Sequence, residues 1–252
     1  MSESAVTWVV PCFNEAERLD LAGFVALVHA SAPASLVLVD DGSSDETLAT
    51  LRALARQTGA STEIVALPKN CGKAEAVRQG LRRALDGQAE DAKIVGYIDA
   101  DLATPPGELA RLAALMRNDH YDLLMGSRVQ LLGRTIARSH LRHYLGRVFA
   151  TAASLSLRLP VYDTQCGAKL FRRTPALDAA LDQPFTSRWA FDVELIARLL
   201  HPPTGVAPIA VEHIREEPLL TWADVPGSKL RPTAALRSGI DLLRLGLRFR
   251  RL

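Results

Sequence analysis

Leu36-Val37-Leu38-Val39-Asp40-Asp41-Gly42-Ser43-Ser44-Asp45 takes the chain from an apolar run directly into a polar one. Four consecutive aliphatic residues predict a buried strand, and the acidic, glycine and serine residues after them predict the turn in which it ends. Four further apolar runs have the length of strands: Val6–Val10, Thr62–Leu67, Ile94–Ile98 and Leu123–Met125. Amphipathic helical patterns separate the runs, so the sequence predicts an α/β fold with a mostly parallel, Rossmann-like sheet flanked by helices.

In the first half of the chain, we expect helices to begin at polar capping residues. In the second half, we expect a mixture of helices and strands. The predicted caps are Asn14, Ser43 with Glu46 at capping-box spacing, and Thr104 before two prolines. The second half predicts a basic helix at Ala137–Leu157, a loop entering a strand at Asp163–Arg172, a helix at Phe191–Leu200 and a strand within Gly205–His213.

Polar residues cluster immediately after four of the predicted strands. The clusters are Pro11-Cys12-Phe13-Asn14-Glu15, Asp40-Asp41-Gly42-Ser43-Ser44-Asp45, Lys69-Asn70-Cys71-Gly72-Lys73 and Asp99-Ala100-Asp101. The carboxyl ends of parallel strands lie on one edge of a sheet, where open α/β folds bind their ligands. One such cluster alone is usually a turn or a helix cap, but four clusters at four strand ends predict a binding site.

Asp99 and Asp101 are the most informative pair of residues in these clusters. Two carboxylates one residue apart at a strand end suit a hard divalent cation, Mg²⁺ or Mn²⁺, that also contacts a diphosphate. The G-x-G-x-x-G fingerprint of dinucleotide-binding folds does not follow the first strand, and Lys73 is followed by Ala74, where a P-loop has serine or threonine. The sequence therefore argues against a dinucleotide-binding fold and against a P-loop.

These motifs resemble those of the family 2 inverting glycosyltransferases, which have the GT-A fold. The general match rests on Val9–Glu15, Val39–Asp45 and Asp99–Asp101. Three later segments look like the dolichyl-phosphate and polyprenyl-phosphate β-glucosyltransferases: Asp163–Phe171, Arg188–Leu195 and Gly227–Leu230. The resemblance runs from about residue 6 to residue 248. It implies inverting, metal-dependent transfer of a hexose, with glucose as the expected sugar, from a UDP-sugar to a polyprenyl phosphate.

The resemblance also implies a role for each matching residue. The donor nucleotide and its diphosphate would contact Pro11, Phe13, Asn14, Glu15, Asp40, Asp41, Asn70, Lys73, Asp99 and Ala100, and the metal would bind Asp99 and Asp101. Asp101, Arg128, Arg142 and Lys229 are the expected catalytic residues, with the two arginines facing the acceptor phosphate. Phe13 departs from the tyrosine common in this motif, and Ala103 replaces the glutamine of mannosyl relatives.

The acceptor decides whether the enzyme needs a catalytic base. A hydroxyl acceptor needs a carboxylate, and the candidates for such a base or acceptor site are Asp163, Gln165, Trp189 and Asp192. A phosphate monoester, with a second pKa near ~6, is already nucleophilic at neutral pH. A saccharide or other hydroxyl acceptor, and an inactive nucleotide-sugar-binding protein, remain alternatives. Nucleotidyl transfer is disfavoured because a glycine-rich opening is missing.

Composition limits where the protein works and what it binds. The 252 residues are 48% hydrophobic and 23% charged, as in globular proteins, and the net charge of +2 argues against nucleic-acid binding. The sequence has neither a signal-peptide pattern nor an apolar run long enough to span a bilayer, and its three cysteines are scattered. We therefore expect a cytoplasmic protein, peripheral on the cytoplasmic face of the membrane.

The net charge is unevenly distributed along the chain. Residues 229–252 contain seven basic residues and one acidic residue, which gives +6, so the other 228 residues sum to −4. Leu236, Ile240, Leu243 and Leu247 recur there at helical spacing beside arginines. We expect one GT-A-like domain over residues 1–230, followed at 231–252 by a basic amphipathic helix that contacts anionic lipid or packs on the domain.

Overall fold

A seven-stranded sheet forms the centre of the computed structural model, which describes residues 5–86, 94–137, 140–225 and 241. In chain order the strands of this sheet are β1 (Val6–Cys12), β2 (Ala34–Asp40), β3 (Thr62–Ala66), β4 (Ile94–Tyr97), β5 (Leu123–Ser127), β7 (Lys169–Arg172) and β8 (Ile214–Pro218). Two short strands, β6 (Thr135–Ala137) and β9 (Thr221–Ala223), pair in parallel as a separate sheet.

The order of the strands across the main sheet is β3-β2-β1-β4-β7-β5-β8. Neighbouring strands run parallel except at β7, which is antiparallel to both β4 and β5. The expected mostly parallel sheet is confirmed. β1 lies between β2 and β4, so the strand order reverses beside it. A reversal of this kind leaves a crevice at the carboxyl ends of the strands, where ligands bind in open α/β sheets.

Helices cover both faces of the sheet. The described residues form α1 (Leu21–Ala30), α2 (Thr47–Thr58), α3 (Lys73–Leu85), α4 (Pro106–Asn118), α5 (His140–Leu157), α6 (Pro175–Asp182) and α7 (Phe191–Leu200). Successive side chains of a strand point to opposite faces. Trp8 and Val10 accordingly belong to one apolar core with residues of α1, α2 and α4, and Val9 belongs to the other with residues of α3, α5, α6 and α7.

The cap predicted at Asn14 is wrong because that side chain binds a neighbouring loop. The backbone N–H of Ser44 donates to Asn14 Oδ1 at 2.9 Å, and Asn14 adopts a positive φ of 53°. Helix α1 begins later, at Leu21, and Asp20 caps it by accepting a hydrogen bond from the backbone N–H of Gly23 at 2.9 Å. A short polar side chain satisfies loop N–H groups as readily as helical ones.

The caps predicted at Ser43 and Thr104 are wrong as well. Helix α2 has no side-chain cap, and Ser43 Oγ instead accepts a hydrogen bond from the backbone N–H of Asn14 at 3.1 Å. Helix α4 also starts without a side-chain cap, after Pro105. Pro105 and Pro106 carry no backbone N–H, so Thr104 has little to cap there.

The second half follows the predictions only in part. The helix at Phe191–Leu200 and the strand ending at Arg172 are confirmed. The basic helix predicted at Ala137–Leu157 begins later, at His140, and Ala137 belongs to β6. The strand predicted within Gly205–His213 is wrong: residues 211–213 form a 3₁₀ turn, and β8 starts after it. The C-terminal helix lies outside the described residues except for Asp241, which is helical. Among the helices described, none is both long and apolar enough to cross a bilayer.

We predict that Gly80 of α3 cannot be enlarged without loss of stability. A Cβ at Gly80 would lie 2.2 Å from Val9 Cγ1 and 2.8 Å from Val39 Cγ2, so the helix lies directly against the sheet. Gly80→Ala should lower the free energy of unfolding by about 1–3 kcal/mol, measured by urea denaturation. Gly107→Ala in α4 is the matched control, because a Cβ there meets nothing within 4 Å. Equal loss in both variants would contradict close packing of α3.

Candidate active site

A cavity of about 370 Å³ opens at the edge of the sheet where β1, β2 and β4 end. The residues around it come from the ends of β1, β2 and β4, from the loop after β3 and from the first turn of α3. They are Pro11, Cys12, Phe13, Glu15, Arg18, Asp41, Asn70, Gly72, Lys73, Ala76, Asp99, Ala100 and Asp101. The cavity therefore lies at the edge of the sheet where the four polar clusters predict a binding site.

Two residues expected to contact a nucleotide, Asn14 and Asp40, are not among those lining the cavity. Asn14 joins the loop after β1 to the loop after β2 through its hydrogen bonds with Ser43 and Ser44. The buried Asp40 accepts a hydrogen bond from the backbone N–H of Ser43 at 3.2 Å. Both side chains fix the shape of the rim, and the residues beside them in the sequence reach the cavity.

Asp41 fixes the loop that carries Asn70 and Lys73. The backbone N–H groups of Cys71 and Gly72 donate to its two carboxylate oxygens at 2.7 and 2.8 Å. Burial raises the pKa of Asp41 above its ordinary value, although these two N–H groups and the charge of Arg188 act to lower it. The loop itself packs closely, because a Cβ at Gly42 would lie 2.3 Å from the carbonyl carbon of Lys69.

Asp99 and Asp101 share the cavity but differ in their partners. Lys73 Nζ donates to Asp99 Oδ1, and although desolvation acts to raise the pKa of Asp99, the charge of Lys73 lowers it below the ordinary value. Asp101 Oδ1 accepts a hydrogen bond from the backbone N–H of Ala103 at 3.1 Å. Burial, and then the charge of Asp99, raise the pKa of Asp101. Repulsion between the two carboxylates is therefore only partly offset by the protein.

This pair of carboxylates fits a hard divalent cation that is shared with a ligand. Within the described residues, no group of three or more histidine, cysteine, aspartate or glutamate side chains is arranged to bind a metal. Asp99 and Asp101 provide two oxygen donors facing one cavity, and their repulsion favours positive charge between them. Mg²⁺ is commonly bound by one or two carboxylates with substrate phosphates and water completing its shell.

Arg128 and Asp163 form a bidentate ion pair outside the residues that line the cavity. Arg128 Nε and Nη2 donate to the two oxygens of Asp163 at 2.7 and 2.8 Å, and the backbone N–H of Arg128 adds a third bond at 3.0 Å. The guanidinium also lies 5.3 Å from the ring centroid of Trp222. The position of Arg128 is therefore well defined, and the carboxylate of Asp163 is occupied.

Asp192 belongs to a buried cluster behind the cavity. Lys169 Nζ donates to its Oδ1 at 2.7 Å, the hydroxyl of Tyr97 donates to the same oxygen, and Gln165 Nε2 donates to Oδ2 at 3.3 Å. Lys169 is only 1% exposed. Burial and the charge of Asp192 raise the pKa of Tyr97 well above its ordinary value. The cluster therefore keeps both oxygens of Asp192 engaged.

The buried cluster touches Asp99 through the backbone. Lys169 Nζ donates to the carbonyl oxygen of Cys166 at 2.6 Å, and Gly167 follows directly. A Cβ at Gly167 would lie 1.9 Å from Asp99 Oδ2, so the glycine allows the backbone to pack against that carboxylate. Sequence reasoning missed Lys169 and Tyr97. The available signal was a lysine beside the apolar residues Leu170 and Phe171 of a strand.

The remaining residues of interest lie at or beyond the edge of the cavity. Arg18 and Ala76 line it although they belong to none of the four polar clusters that predict the site. The guanidinium of Arg188 packs on Gly72, where a Cβ would lie 2.9 Å from Arg188 Nε. Trp189 is about half exposed and does not line the cavity. Lys229 and the side chain of Arg142 lie outside the described part of the chain.

Comparison with known proteins places this geometry in a family. Residues 7–178 match Glycosyl transferase family 2. The dolichyl-phosphate beta-glucosyltransferases of Drosophila melanogaster and Homo sapiens are each 32% identical to the chain, and each alignment covers 96% of this chain and 74% of the relative. The relatives therefore match over nearly the whole chain, and their match extends beyond residue 178, where the family match ends.

Solved structures show the same architecture. Glucosyl-3-phosphoglycerate synthase from Mycobacterium tuberculosis, in complex with Mn²⁺, UDP and glucosyl-3-phosphoglycerate, matches with a TM-score of 0.64 at 18% identity, over 98% of this chain and 80% of that chain. Its complex with UDP matches with a TM-score of 0.62 at 19% identity, over the same shares of both chains. This likeness shows the fold, which is the expected GT-A type. The chain belongs to glycosyl transferase family 2, and it is a glycosyltransferase similar to the dolichyl-phosphate β-glucosyltransferases.

Proposed function

We propose that this enzyme transfers glucose from UDP-glucose to the phosphate of a polyprenyl phosphate, with inversion at the anomeric carbon and with Mg²⁺ or Mn²⁺ bound. The names of the similar enzymes in Drosophila melanogaster and Homo sapiens support the lipid phosphate as acceptor. The solved neighbour with bound Mn²⁺ and UDP supports the donor and the cation. One observation in this chain carries the proposal: Asp163 and Asp192, the two candidates for a catalytic base, are each engaged by a basic side chain.

The donor nucleotide is assigned to the cavity. Phe13 offers a partly exposed aromatic ring at the rim, which is suited to contact with the uracil base. Asn70 lies on the loop that Asp41 fixes, and Lys73 begins α3 directly after it, so the backbone at both residues is set before a ligand binds. A preformed site of this kind loses less conformational entropy on binding than a mobile one.

The divalent cation is assigned to Asp99 and Asp101. When bound, it neutralises the charge that develops on the leaving diphosphate. The protein contributes a second positive charge from Lys73. Burial acts to lower the pKa of Lys73, but Asp99 and the other nearby carboxylates raise it by more, so the pKa lies above its ordinary value. Lys73 therefore stays protonated while the β-phosphate of the leaving UDP gains a negative charge beside it.

A phosphate acceptor explains why the candidate bases are engaged elsewhere. Asp163 accepts a bidentate pair of hydrogen bonds from Arg128, and Asp192 accepts from Lys169, Tyr97 and Gln165. A carboxylate held by strong donors is a poor proton acceptor. Phosphate monoesters reach a nucleophilic dianion near neutral pH without such help. The site thus favours a phosphate acceptor over a saccharide or another hydroxyl compound.

Two phosphate groups must approach each other in this reaction, and cations have to offset their repulsion. Arg128 is proposed to orient the acceptor phosphate, since its guanidinium is fixed by Asp163 and Trp222. Arg142 and Lys229 are proposed to add positive charge, on the strength of the sequence resemblance. In this proposal Lys73 and the metal face the donor diphosphate, and Arg128 and Arg142 face the acceptor phosphate.

The chain is proposed to act as one domain, with residues 231–252 attached to it, on the cytoplasmic face of the membrane. Ser187 Oγ donates to Asp241 Oδ2 at 2.6 Å, which supports contact between the C-terminal segment and the turn before α7. Ser187 Oγ also accepts from the backbone N–H of Ala190 at 2.8 Å, at the start of that helix. The contact brings the C-terminal segment to the element that carries Asp192.

We predict that the purified enzyme converts a polyprenyl phosphate and UDP-glucose to a hexosyl-phosphate lipid and leaves the matching polyprenol untouched. Mass detection of the product across a set of UDP-sugars checks both sugar and acceptor. The polyprenol differs from the substrate only in the phosphate, so it tests the need for that group. Transfer to saccharides alone would favour the hydroxyl-acceptor alternative. Binding of UDP with no turnover of any donor would favour the inactive binding protein.

Asp101→Ala should reduce kcat by at least about 100-fold while the protein stays folded, because the carboxylate that binds the cation is removed. Initial rates with saturating Mn²⁺ and circular dichroism of both proteins measure the two effects. Asp119→Ala is the control, since this aspartate is exposed at the end of α4. An Asp101→Ala variant with wild-type activity would refute the assigned cation site.

Cys71 should be the one thiol of the native enzyme that alkylating reagents reach at about pH 8, with UDP and Mn²⁺ slowing the reaction. Burial raises the pKa of Cys12 and Cys166, the latter to about 11, so both stay protonated, whereas Cys71 lies partly exposed on the loop that carries Asn70 and Lys73. Mass spectrometry of tryptic peptides locates the label. Labelling of Cys71 at the same rate with and without UDP would argue against nucleotide binding on this loop.

A further inference from the structure

The bidentate ion pair between Arg128 and Asp163 joins the two ends of a long excursion from the sheet. Arg128 follows β5 directly, and the backbone N–H of Asp163 donates to Glu216 Oε1 of β8 at 2.6 Å. The 34 residues between them, here called the 129–162 segment, contain β6 and α5. Both ends of the segment are therefore fixed beside the proposed acceptor-binding arginine.

The 129–162 segment has an unusual charge composition. It contains five arginines and no aspartate or glutamate. The whole chain has 28 acidic residues among 252, so 34 residues of average composition would contain about four. The acid-free segment is also separate from the basic C-terminal residues 229–252. A surface built from such a segment attracts polyanions, and it is not neutralised by acidic neighbours within its own sequence.

The same segment exposes large apolar side chains. Leu132 is fully exposed and Leu131 about half exposed, on the loop that precedes β6. On α5, Val148 is 72% and Leu155 69% exposed, and a spacing of seven residues places them on one side of the helix. The opposite side of α5 packs into the core through Ala153 and Leu157.

Arginines flank these apolar residues. Arg147, next to Val148 on α5, and Arg158, the residue directly after α5, are both exposed. The guanidinium of Arg147 lies 4.2 Å from the ring centroid of Tyr162. Exposed aliphatic side chains bordered by arginines form the surface that peripheral proteins use at anionic bilayers, where aliphatic groups enter the acyl region and cations remain among the headgroups. A second copy of the chain would instead bring two arginine-rich surfaces together, which their like charge opposes.

We propose that the 129–162 segment docks the enzyme on an anionic lipid bilayer, with Leu131 and Leu132 inserted below the headgroups and the outer side of α5 lying along them. The proposal rests on the proposed function in one respect, since a polyprenyl-phosphate acceptor resides in a membrane. It adds a docking surface that is distinct from the C-terminal residues 231–252. Docking there sets Arg128, the residue immediately before the segment, next to the headgroup layer.

Vesicle binding of a leucine variant tests the docking surface. The double variant L131E/L132E replaces the inserted side chains, and Val211→Glu is the matched control, because Val211 is a half-exposed apolar residue outside the segment. Vesicles of equal parts phosphatidylglycerol and phosphatidylcholine are sedimented with each protein, without donor or acceptor. The double variant should bind at least about tenfold more weakly than wild type, and the control should bind as wild type does.

Transfer assays separate docking from catalysis. With a short, water-soluble prenyl phosphate and no vesicles, L131E/L132E should keep the wild-type kcat/KM. With a long polyprenyl phosphate in anionic vesicles, its rate should fall by about tenfold or more. Wild-type binding should also weaken in vesicles of phosphatidylcholine alone and at high salt.

Three results would overturn the docking proposal. The first is unchanged vesicle binding by L131E/L132E, and the second is equal loss of transfer with the soluble and the vesicle acceptor. The third is self-association of the wild type that the leucine variant abolishes, with no vesicle binding by either protein. If the wild type transfers sugar to neither acceptor, the proposed function fails, and the sedimentation result still decides the docking surface by itself.

Discussion

Repulsion among carboxylates at one edge of the sheet is the constraint on which the rest of the site depends. Asp41, Asp99 and Asp101 all face a single cavity. Asp41 is offset by two backbone N–H groups and Asp99 by Lys73, so the loop after β3 and the first turn of α3 are both fixed by the need to balance charge. Asp101 receives one backbone hydrogen bond and keeps a raised pKa. The protein thus leaves a deficit of positive charge at the place assigned to a cation and a diphosphate.

Strand periodicity predicted the sheet well because buried parallel strands are short apolar runs separated by helices. It carried no information on direction, so the antiparallel β7 between β4 and β5 was not anticipated. Capping residues were predicted less well, because Asn14 and Ser43 have the side chains of helix caps and of loop-to-loop contacts alike. Tertiary contacts decide which of the two roles such residues take.

The candidate site, like the fold, was predictable from the sequence only in part. Polar residues at strand ends predicted the cavity lining, because chain order alone brings parallel strand ends together. The pairing of Arg128 with Asp163 and of Lys169 with Asp192 was not predictable, since the partners are 35 and 23 residues apart and no local pattern links them. Those two ion pairs carry the proposal of a phosphate acceptor. The part of the mechanism that depends on long-range pairing therefore came from the structure and not from the motifs.

The ion pair between Arg128 and Asp163 also has a consequence for how this scaffold can change in evolution. It closes the 129–162 segment at its base, so insertions or deletions within the segment leave the strands on either side in register. The closure entropy of a loop grows only slowly with its length, so variation there costs little stability. The edge of the sheet with the proposed donor site and the segment beside the proposed acceptor-binding arginine can then change independently of each other. The scaffold could accept a different acceptor through changes within this one segment.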